Sequence, residues 1–254
     1  MTAISIDPDR HRAVLFDMDG VVTDTARVHA AAWKRLFDRY FAERPASAGE
    51  DHRPFSEDDY VRHVDGKPRV AGVVDLLRSR GMHLPLGTAG DEPGRKTAHG
   101  LAALKDVHFR EALDSAGVEV FDDARALLAE LRGRGVRTAV FSASRHCAEI
   151  LARADLLGLF DARVDGQVAD ALGLAGKPDP AMLLEAARRA GAGPAASVVV
   201  EDSRAGVTAG RRGGFSLVIG LDRRGCPAPL TEAGADVVVS ALDEVAVAAP
   251  GRSR

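Results

Sequence analysis

Short apolar runs rich in β-branched residues recur along the chain, each ending in small or acidic residues. They cover residues 13–16, 21–22 beyond an acidic loop, 137–141, 162–164, 197–200, 216–219 and 236–239. Between them, apolar positions recur at helical spacing. Residues 123–131 place Leu127, Leu128 and Leu131 on one face, and residues 145–157 and 180–190 behave alike, the latter opening with Pro180 where helices favour proline. Short strands alternating with longer helices predict an α/β protein with a parallel sheet wrapped on both faces. Ligands of such sheets bind beyond the carboxyl ends of the strands. Polar residues just after each strand are therefore the ones to examine.

The rhythm breaks over residues 27–120. A helix over 27–41 carries an apolar stripe of Trp33, Leu36, Phe37 and Tyr40, and a second helix is predicted over 72–80. Residues 84–98 are rich in Gly, Pro and Thr and read as a long loop. With no strand-like run in this stretch, the simplest account is a helical unit inserted soon after the first strand. The predicted domains are a core of residues 1–26 and 121–254 and an insert of residues 27–120. Residues 246–254 read as frayed, and the sequence shows no internal repeat and no low-complexity segment.

Composition narrows the class. With 46% hydrophobic and 28% charged residues over 254 positions, a collagenous, disordered or disulfide-stapled chain is excluded. The 34 basic residues against 37 acidic ones give a net charge of −3, which argues against nucleic acid and anionic membranes as partners. Cys147 and Cys226 stand 79 positions apart and fit no metal-knuckle pattern; Cys147 shares a helical stripe with Ile150, Leu151 and Ala154 and reads as core. No run approaches the ~18 apolar residues of a membrane span and no apolar leader opens the chain, so a soluble cytoplasmic protein is expected. Only Lys34, Lys67, Lys96, Lys105 and Lys177 are lysines, so each is worth asking about.

Four loops after strands carry candidate chemistry. The first is Asp17-Met18-Asp19-Gly20, where two carboxylates one residue apart are costly unless a cation or a proton relieves them. Mg²⁺ would serve, since it takes oxygen ligands, and the pair divides naturally into a nucleophile and a proton donor. A solvated turn is the plain alternative. The second loop, Ser142-Ala143-Ser144-Arg145, offers hydroxyls and backbone N–H groups ahead of a helix, as a phosphate requires; an ordinary serine N-cap explains it equally. In the third, Gly176-Lys177-Pro178-Asp179-Pro180, Lys177 is either a compact countercharge for phosphate or a surface lysine. The fourth, Val200-Glu201-Asp202-Ser203, delivers two acids at a strand end, with a helix cap at Asp202 or Ser203 as the structural alternative. One fixed order of four such loops is much less expected by accident than any one of them.

The segments FDMDGVVTDT, SAS, KPDP and VVVEDSRAG together resemble the haloacid dehalogenase superfamily of phosphoryl-transfer enzymes in all four motifs. VHAAAWKRLF and VDGKPR sharpen the resemblance towards the β-phosphoglucomutase-like group. It extends over about residues 13–219 and is weakest over 82–99. The resemblance implies a doubly wound, Rossmann-like core with an inserted α-helical cap domain. It also implies that Asp17 is the nucleophile forming an aspartyl-phosphate and Asp19 the general acid/base. Mg²⁺ is implied at the Asp17 side chain, the Asp19 backbone carbonyl and Asp202, with Glu201 supporting. Ser142, the Ala143 backbone and Lys177 would grip the phosphoryl group. Thr25, His29, Arg69 and Lys105 would be the substrate-selecting residues of the cap.

Each cap residue also has a plain reading: His29 as a packed histidine on the Trp33 face, Arg69 as a solvated arginine. The resemblance makes Thr25 and His29 favour a mutase, in which a sugar hydroxyl takes the phosphoryl group from Asp17, because the β-phosphoglucomutase-like group uses matching positions to delay hydrolysis until the cap closes. Two departures argue the other way. The aromatic-Pro-Gly usual in the family is replaced by Val120-Phe121-Asp122-Asp123, and residues 84–98 form a long Gly/Pro-rich loop. A sugar-phosphate phosphatase is therefore the close alternative. A phospho-accepting receiver domain is remote, being about half this length and without an insert. The expected partners are a small sugar phosphate and a sugar bisphosphate activator, acting on a monomer.

Overall fold

The computed structural model describes residues 4–45 and 47–249. The chain divides into two compact units, one of Met1–Asp24 with Val118–Arg254 and one of Thr25–Gly117. The first is built on a sheet of six parallel strands in the order β4-β3-β2-β5-β6-β7: β2 (Ala13–Asp17), β3 (Arg137–Phe141), β4 (Ala162–Val164), β5 (Ser197–Glu201), β6 (Leu217–Leu221) and β7 (Val237–Val239). β2 and β5 are buried along their whole length, which explains why they read as continuous apolar runs rather than alternating ones. The chain winds outwards from β2 in one direction and then returns to start again at β5. The strand order therefore reverses between β2 and β5, and that switch point is where such sheets take their ligands.

Two expectations fail here. Residues 21–22 are not a strand: Gly20 turns the chain at φ 89°, and the Val22 and Thr23 N–H groups both return to the Met18 carbonyl, making a buried apolar turn. Residues 246 and 247 are not frayed, because β8 (Val245–Val247) pairs in parallel with β1 (Ile4–Ile6). The rest of the expected frayed end, from residue 250, lies outside the described residues.

The second unit holds α1 (Thr25–Glu43), α2 (Glu57–Asp59) running into a π-helical turn (Tyr60–Val64), α3 (Arg69–Ser79) and α4 (Ala98–Ala116). Its core stacks aromatic rings, with Phe37 5.4 Å from Trp33, 5.4 Å from Phe55 and 5.7 Å from Phe41. Helix α4 goes beyond what the apolar pattern predicts. Its inner face includes the buried polar residues Lys105 and His108, which blur the periodicity. The loop before it is ordered by Asp91, which accepts from Thr88 N (3.2 Å), Thr88 Oγ1 (3.1 Å) and Thr97 Oγ1 (2.5 Å). Gly87 is required there, since its φ is 72° and a Cβ would overlap Asp91 and Thr97.

Around the sheet lie α5 (Asp122–Gly133), α6 (Cys147–Arg153), α7 (Gly166–Leu172), α8 (Ala181–Arg189), α9 (Arg204–Arg212) and α10 (Ala228–Ala233), on both of its faces. Met182, Leu183, Ala186 and Ala187 of α8 pack on Ala13, Leu15, Ala139 and Phe141 in one cluster. The fully buried Cys147 is part of the core, as its stripe predicts. Helix α6 is shorter than the expected 145–157. At its start, the Ser142 and Ser144 hydroxyls accept the Ser144 and His146 N–H groups; at its end, Asp155 turns the chain at φ 54°.

Candidate active site

Strand β2 ends on Asp17, and its neighbour β5 ends on Glu201 with Asp202 next. The parallel register Phe16↔Val200 brings these acids together at the switch point. One carboxylate oxygen from each of Asp17, Glu201 and Asp202 lies within 4.8 Å of the others. Lys177, on the loop before α8, joins them: its Nζ donates to Asp17 Oδ1 and to Glu201 Oε1, both at 2.6 Å. The ammonium also sits 5.0 Å from the centre of the Phe141 ring. The second oxygen of Glu201 accepts from Ser203 N (2.7 Å) and Ser203 Oγ (2.8 Å). Ser203 Oγ in turn accepts from Gly206 N at 3.1 Å, so Ser203, not Asp202, caps α9. A Cβ at residue 206 would overlap the Glu201 carboxylate, which explains the glycine. Both Glu201 oxygens are thus spent on holding Lys177 and the start of α9.

The site is almost dry: Asp17 is 4% exposed and Lys177 3%. Burial pushes the Asp17 carboxyl well up; Lys177 opposes that shift, while Glu201 and Asp19 add to it. Burial also works against the Lys177 ammonium, but the Asp17 and Glu201 carboxylates outweigh it and hold the lysine above its ordinary range. Three converging carboxylates and one lysine leave an excess of negative charge. A hard divalent cation, which binds oxygen donors, would relieve it, and the residues present fit one.

Asp19 Oδ2 accepts from Ser142 Oγ at 3.0 Å, so the loops after β2 and β3 are joined by a side-chain bond. The Ser142 N–H is committed to Val164 O at 3.1 Å and the Ser144 N–H to Ser142 Oγ at 3.0 Å. The Ala143 N–H donates to no acceptor among the described residues. That leaves the Ala143 N–H as a backbone donor open to an oxyanion, beside a Ser142 hydroxyl whose proton goes to Asp19 in this structure.

The candidates in the helical unit form a second group. His29 of α1 stacks on Phe109 of α4 at 4.0 Å, and its Nδ1 faces Lys105 Nζ within hydrogen-bond distance. Lys105 is buried, with its ammonium 4.7 Å from the Phe109 ring centre and 5.2 Å from that of Trp33. Arg69 opens α3 and forms an ion pair with Asp106, which also holds Arg110 at 3.1 Å. Thr25 begins α1 and is 1% exposed.

One cluster is missing from the sequence reading. Arg223, just past β6, forks onto Asp123 at 2.8 and 2.9 Å and lies 3.8 Å from the Phe121 ring centre. It also reaches the Gly20 and Val21 carbonyls at 3.3 and 3.4 Å. The signal that could have found it was its place after a strand at the carboxyl edge of the sheet.

Fold and constellation together define an α/β enzyme with acids at the switch point, and residues 11–214 match the haloacid dehalogenase-like hydrolase family. The chain belongs to that family. It is 41% identical, over 94% of its length and 92% of the relative's, to the β-phosphoglucomutase of Mycobacterium bovis. It is 30% identical to a phosphorylated carbohydrates phosphatase of Thermotoga maritima, over 82% of this chain and 84% of that one. A crystal structure of β-phosphoglucomutase from Clostridium difficile superposes with a TM-score of 0.71 over 92% of each chain at 20% identity, a likeness of fold. Among the described residues, no helix is long and apolar enough to cross a membrane.

Proposed function

We propose that this enzyme transfers a phosphoryl group on a hexose phosphate through an aspartyl-phosphate on Asp17. We take it to act as a β-phosphoglucomutase, turning β-glucose 1-phosphate into glucose 6-phosphate. The observation that carries the chemistry is Lys177 held between Asp17 and Glu201 at the switch point of the sheet. The mutase assignment leans on the 41% identity to a β-phosphoglucomutase along nearly the whole chain.

In this reading an Asp17 carboxylate oxygen attacks phosphorus in line with the departing sugar oxygen. Lys177 and the Ser142–Ala143 donors take the charge on the equatorial oxygens, the largest demand in phosphoryl transfer. Asp19 gives its proton to the leaving oxygen and later removes one from the accepting hydroxyl. Asp17 and Asp202 side chains with the Asp19 carbonyl would hold Mg²⁺, which when bound supplies charge neutralisation and polarises the phosphoryl group. Glu201 acts at one remove, by fixing Lys177 and the start of α9. Thr25, His29, Arg69 and Lys105 are proposed to select the substrate.

A sugar-phosphate phosphatase is the second reading, favoured by the 30% identity to the carbohydrate phosphatase. Incubation with β-glucose 1-phosphate, Mg²⁺ and a catalytic amount of glucose 1,6-bisphosphate separates the two. Glucose 6-phosphate without loss of organic phosphate is the expected result. Inorganic phosphate selects the phosphatase, and neither product rejects the hexose phosphate as substrate.

A further inference from the structure

Asp19 sits on a short turn whose internal bonds close it on itself. Gly20 N donates to Thr23 O (2.8 Å), and Val22 N and Thr23 N donate to Met18 O (2.9 and 3.0 Å). Ser142 Oγ holds the Asp19 carboxyl itself (3.0 Å), and the turn that carries it has separate holds on its backbone. Arg223 supplies one, with Nε on the Gly20 carbonyl and a terminal nitrogen on the Val21 carbonyl. The guanidinium is itself fixed by the fork to Asp123 and by the Phe121 ring. Asp123 is anchored in its turn by the Ala124 and Leu242 N–H groups, each at 2.8 Å. Two further ties run from this turn: Phe121 N donates to Val22 O (3.1 Å) and Asp24 N to Glu119 O (2.9 Å). A planar five-donor group can hold two carbonyls and both oxygens of a carboxylate at once, four acceptors that the three donors of an ammonium cannot match.

We propose that Arg223 is a positioning residue for phosphoryl transfer: held by Asp123 and Phe121, it fixes the Gly20–Val21 peptides and thereby aims the Asp19 carboxyl. The proposal rests on the reading of Asp19 as the acid. In the step concerned, an Asp17 oxygen forms a bond to phosphorus, the bond from phosphorus to the sugar oxygen breaks, and the Asp19 carboxylic acid passes its proton to that oxygen. A sugar alkoxide needs that proton in order to leave. p-Nitrophenolate, a stable anion near neutral pH, does not. An error in aiming Asp19 therefore slows phosphorylation of Asp17 by the sugar phosphate and spares its phosphorylation by p-nitrophenyl phosphate, read as the first-turnover burst of p-nitrophenolate before any water must lose a proton, whereas general damage to the site slows both.

The test compares Arg223→Gln and Arg223→Lys with the parent enzyme on β-glucose 1-phosphate and p-nitrophenyl phosphate, with Asp19→Ala as the reference. Arg223→Gln is expected to lower kcat on the sugar phosphate about 10- to 100-fold, part of the ~10²–10⁴ that a positioned acid contributes. KM and the burst rate of p-nitrophenolate should stay within about threefold by the same reasoning. Arg223→Lys should recover part of the loss, and it carries the comparison if the glutamine variant does not fold. Equal losses on both substrates, or an undiminished kcat on the sugar phosphate, would overturn the assignment. Asp19→Ala slowing the p-nitrophenolate burst as much as the sugar-phosphate reaction would instead reject the reading of Asp19 as the acid, whatever Arg223 does.

Discussion

Lys177 is clamped by two carboxylates rather than one, which separates its roles in binding and in folding. Through Asp17 it touches the proposed nucleophile; through Glu201 it is tied to the start of α9. Asp17→Asn keeps an oxygen that can accept from Lys177 and removes the nucleophile. Turnover should vanish, while the melting temperature stays within a few degrees; residual turnover of a sugar phosphate would sink the assignment of Asp17. Lys177→Met removes the countercharge for an incoming phosphoryl group, so kcat should fall by about 10²–10³, the range seen when one charge-stabilising donor is lost. Glu201→Gln should fall less than Lys177→Met, since the glutamine oxygen can still accept from Lys177. Steady-state kinetics of the three variants at saturating Mg²⁺ rank them, and a Glu201→Gln loss as deep as that of Asp17→Asn would place Glu201 in direct contact with the chemistry.

At the scale of elements, the helical unit contains a buried ion pair between Arg80 and Asp59. The Arg80 side chain is 2% exposed, donates to Asp59 Oδ2 at 2.6 Å and to the Arg53 carbonyl at 2.6 Å, and lies 4.8 Å from the Phe41 ring centre. Asp59 also caps α2 through Ser56. Arg80→Met strands Asp59 without its partner, a loss of about 3–5 kcal/mol. Urea unfolding should show it as a lower midpoint, and a change under ~1 kcal/mol would mean the pair is solvated in solution. The same elements show what the sequence could reveal. β2, β3 and β5 were legible because strands buried on both faces leave uninterrupted apolar runs, and Asp17, Lys177, Glu201 and Asp202 were legible because each follows such a run or opens a helix. β1 and β8 were not, because three-residue strands pair with partners at opposite ends of the chain and leave no local pattern. Helix α4 was hidden by Lys105 and His108 on its inner face, and the Arg223 clamp by depending on four segments that only the fold brings together.

Across the whole molecule, the shifted groups divide acid sensitivity into two stages. Burial holds the His11 and His108 rings below the ordinary histidine range. A base depressed in the folded state stabilises above its unfolded pKa, so stability begins to fall as pH drops below about 6.5. The carboxylates form the second stage. Burial works against the charges of Asp59, Asp75, Asp123 and Asp161, but hydrogen bonds and ion pairs with Ser56 and Arg80, with Lys67, with Arg223, and with Thr138 and Arg137 outweigh it and lower all four. Asp51, bonded to Arg53, is lowered to about 2. An acid depressed in the folded state is stabilising above its unfolded pKa of about 3.9 and loses that contribution as pH falls towards its folded value. Asp17 runs the other way: its raised carboxyl favours the fold at low pH and loses that contribution as pH rises through its folded value. Asp17 opposes two histidines in the first window and five lowered carboxylates in the second, so the net slope should be small in the first and clearly positive in the second. Urea midpoints measured at pH 7.5, 5 and 3.5, values set by these unfolded pKa limits, should therefore change little over the first interval and drop over the second. Replacing Asp123 by Asn should flatten that drop, because a residue that no longer titrates cannot contribute to it; an unchanged acid slope in that variant would show that the Arg223–Asp123 fork is not a source of acid sensitivity.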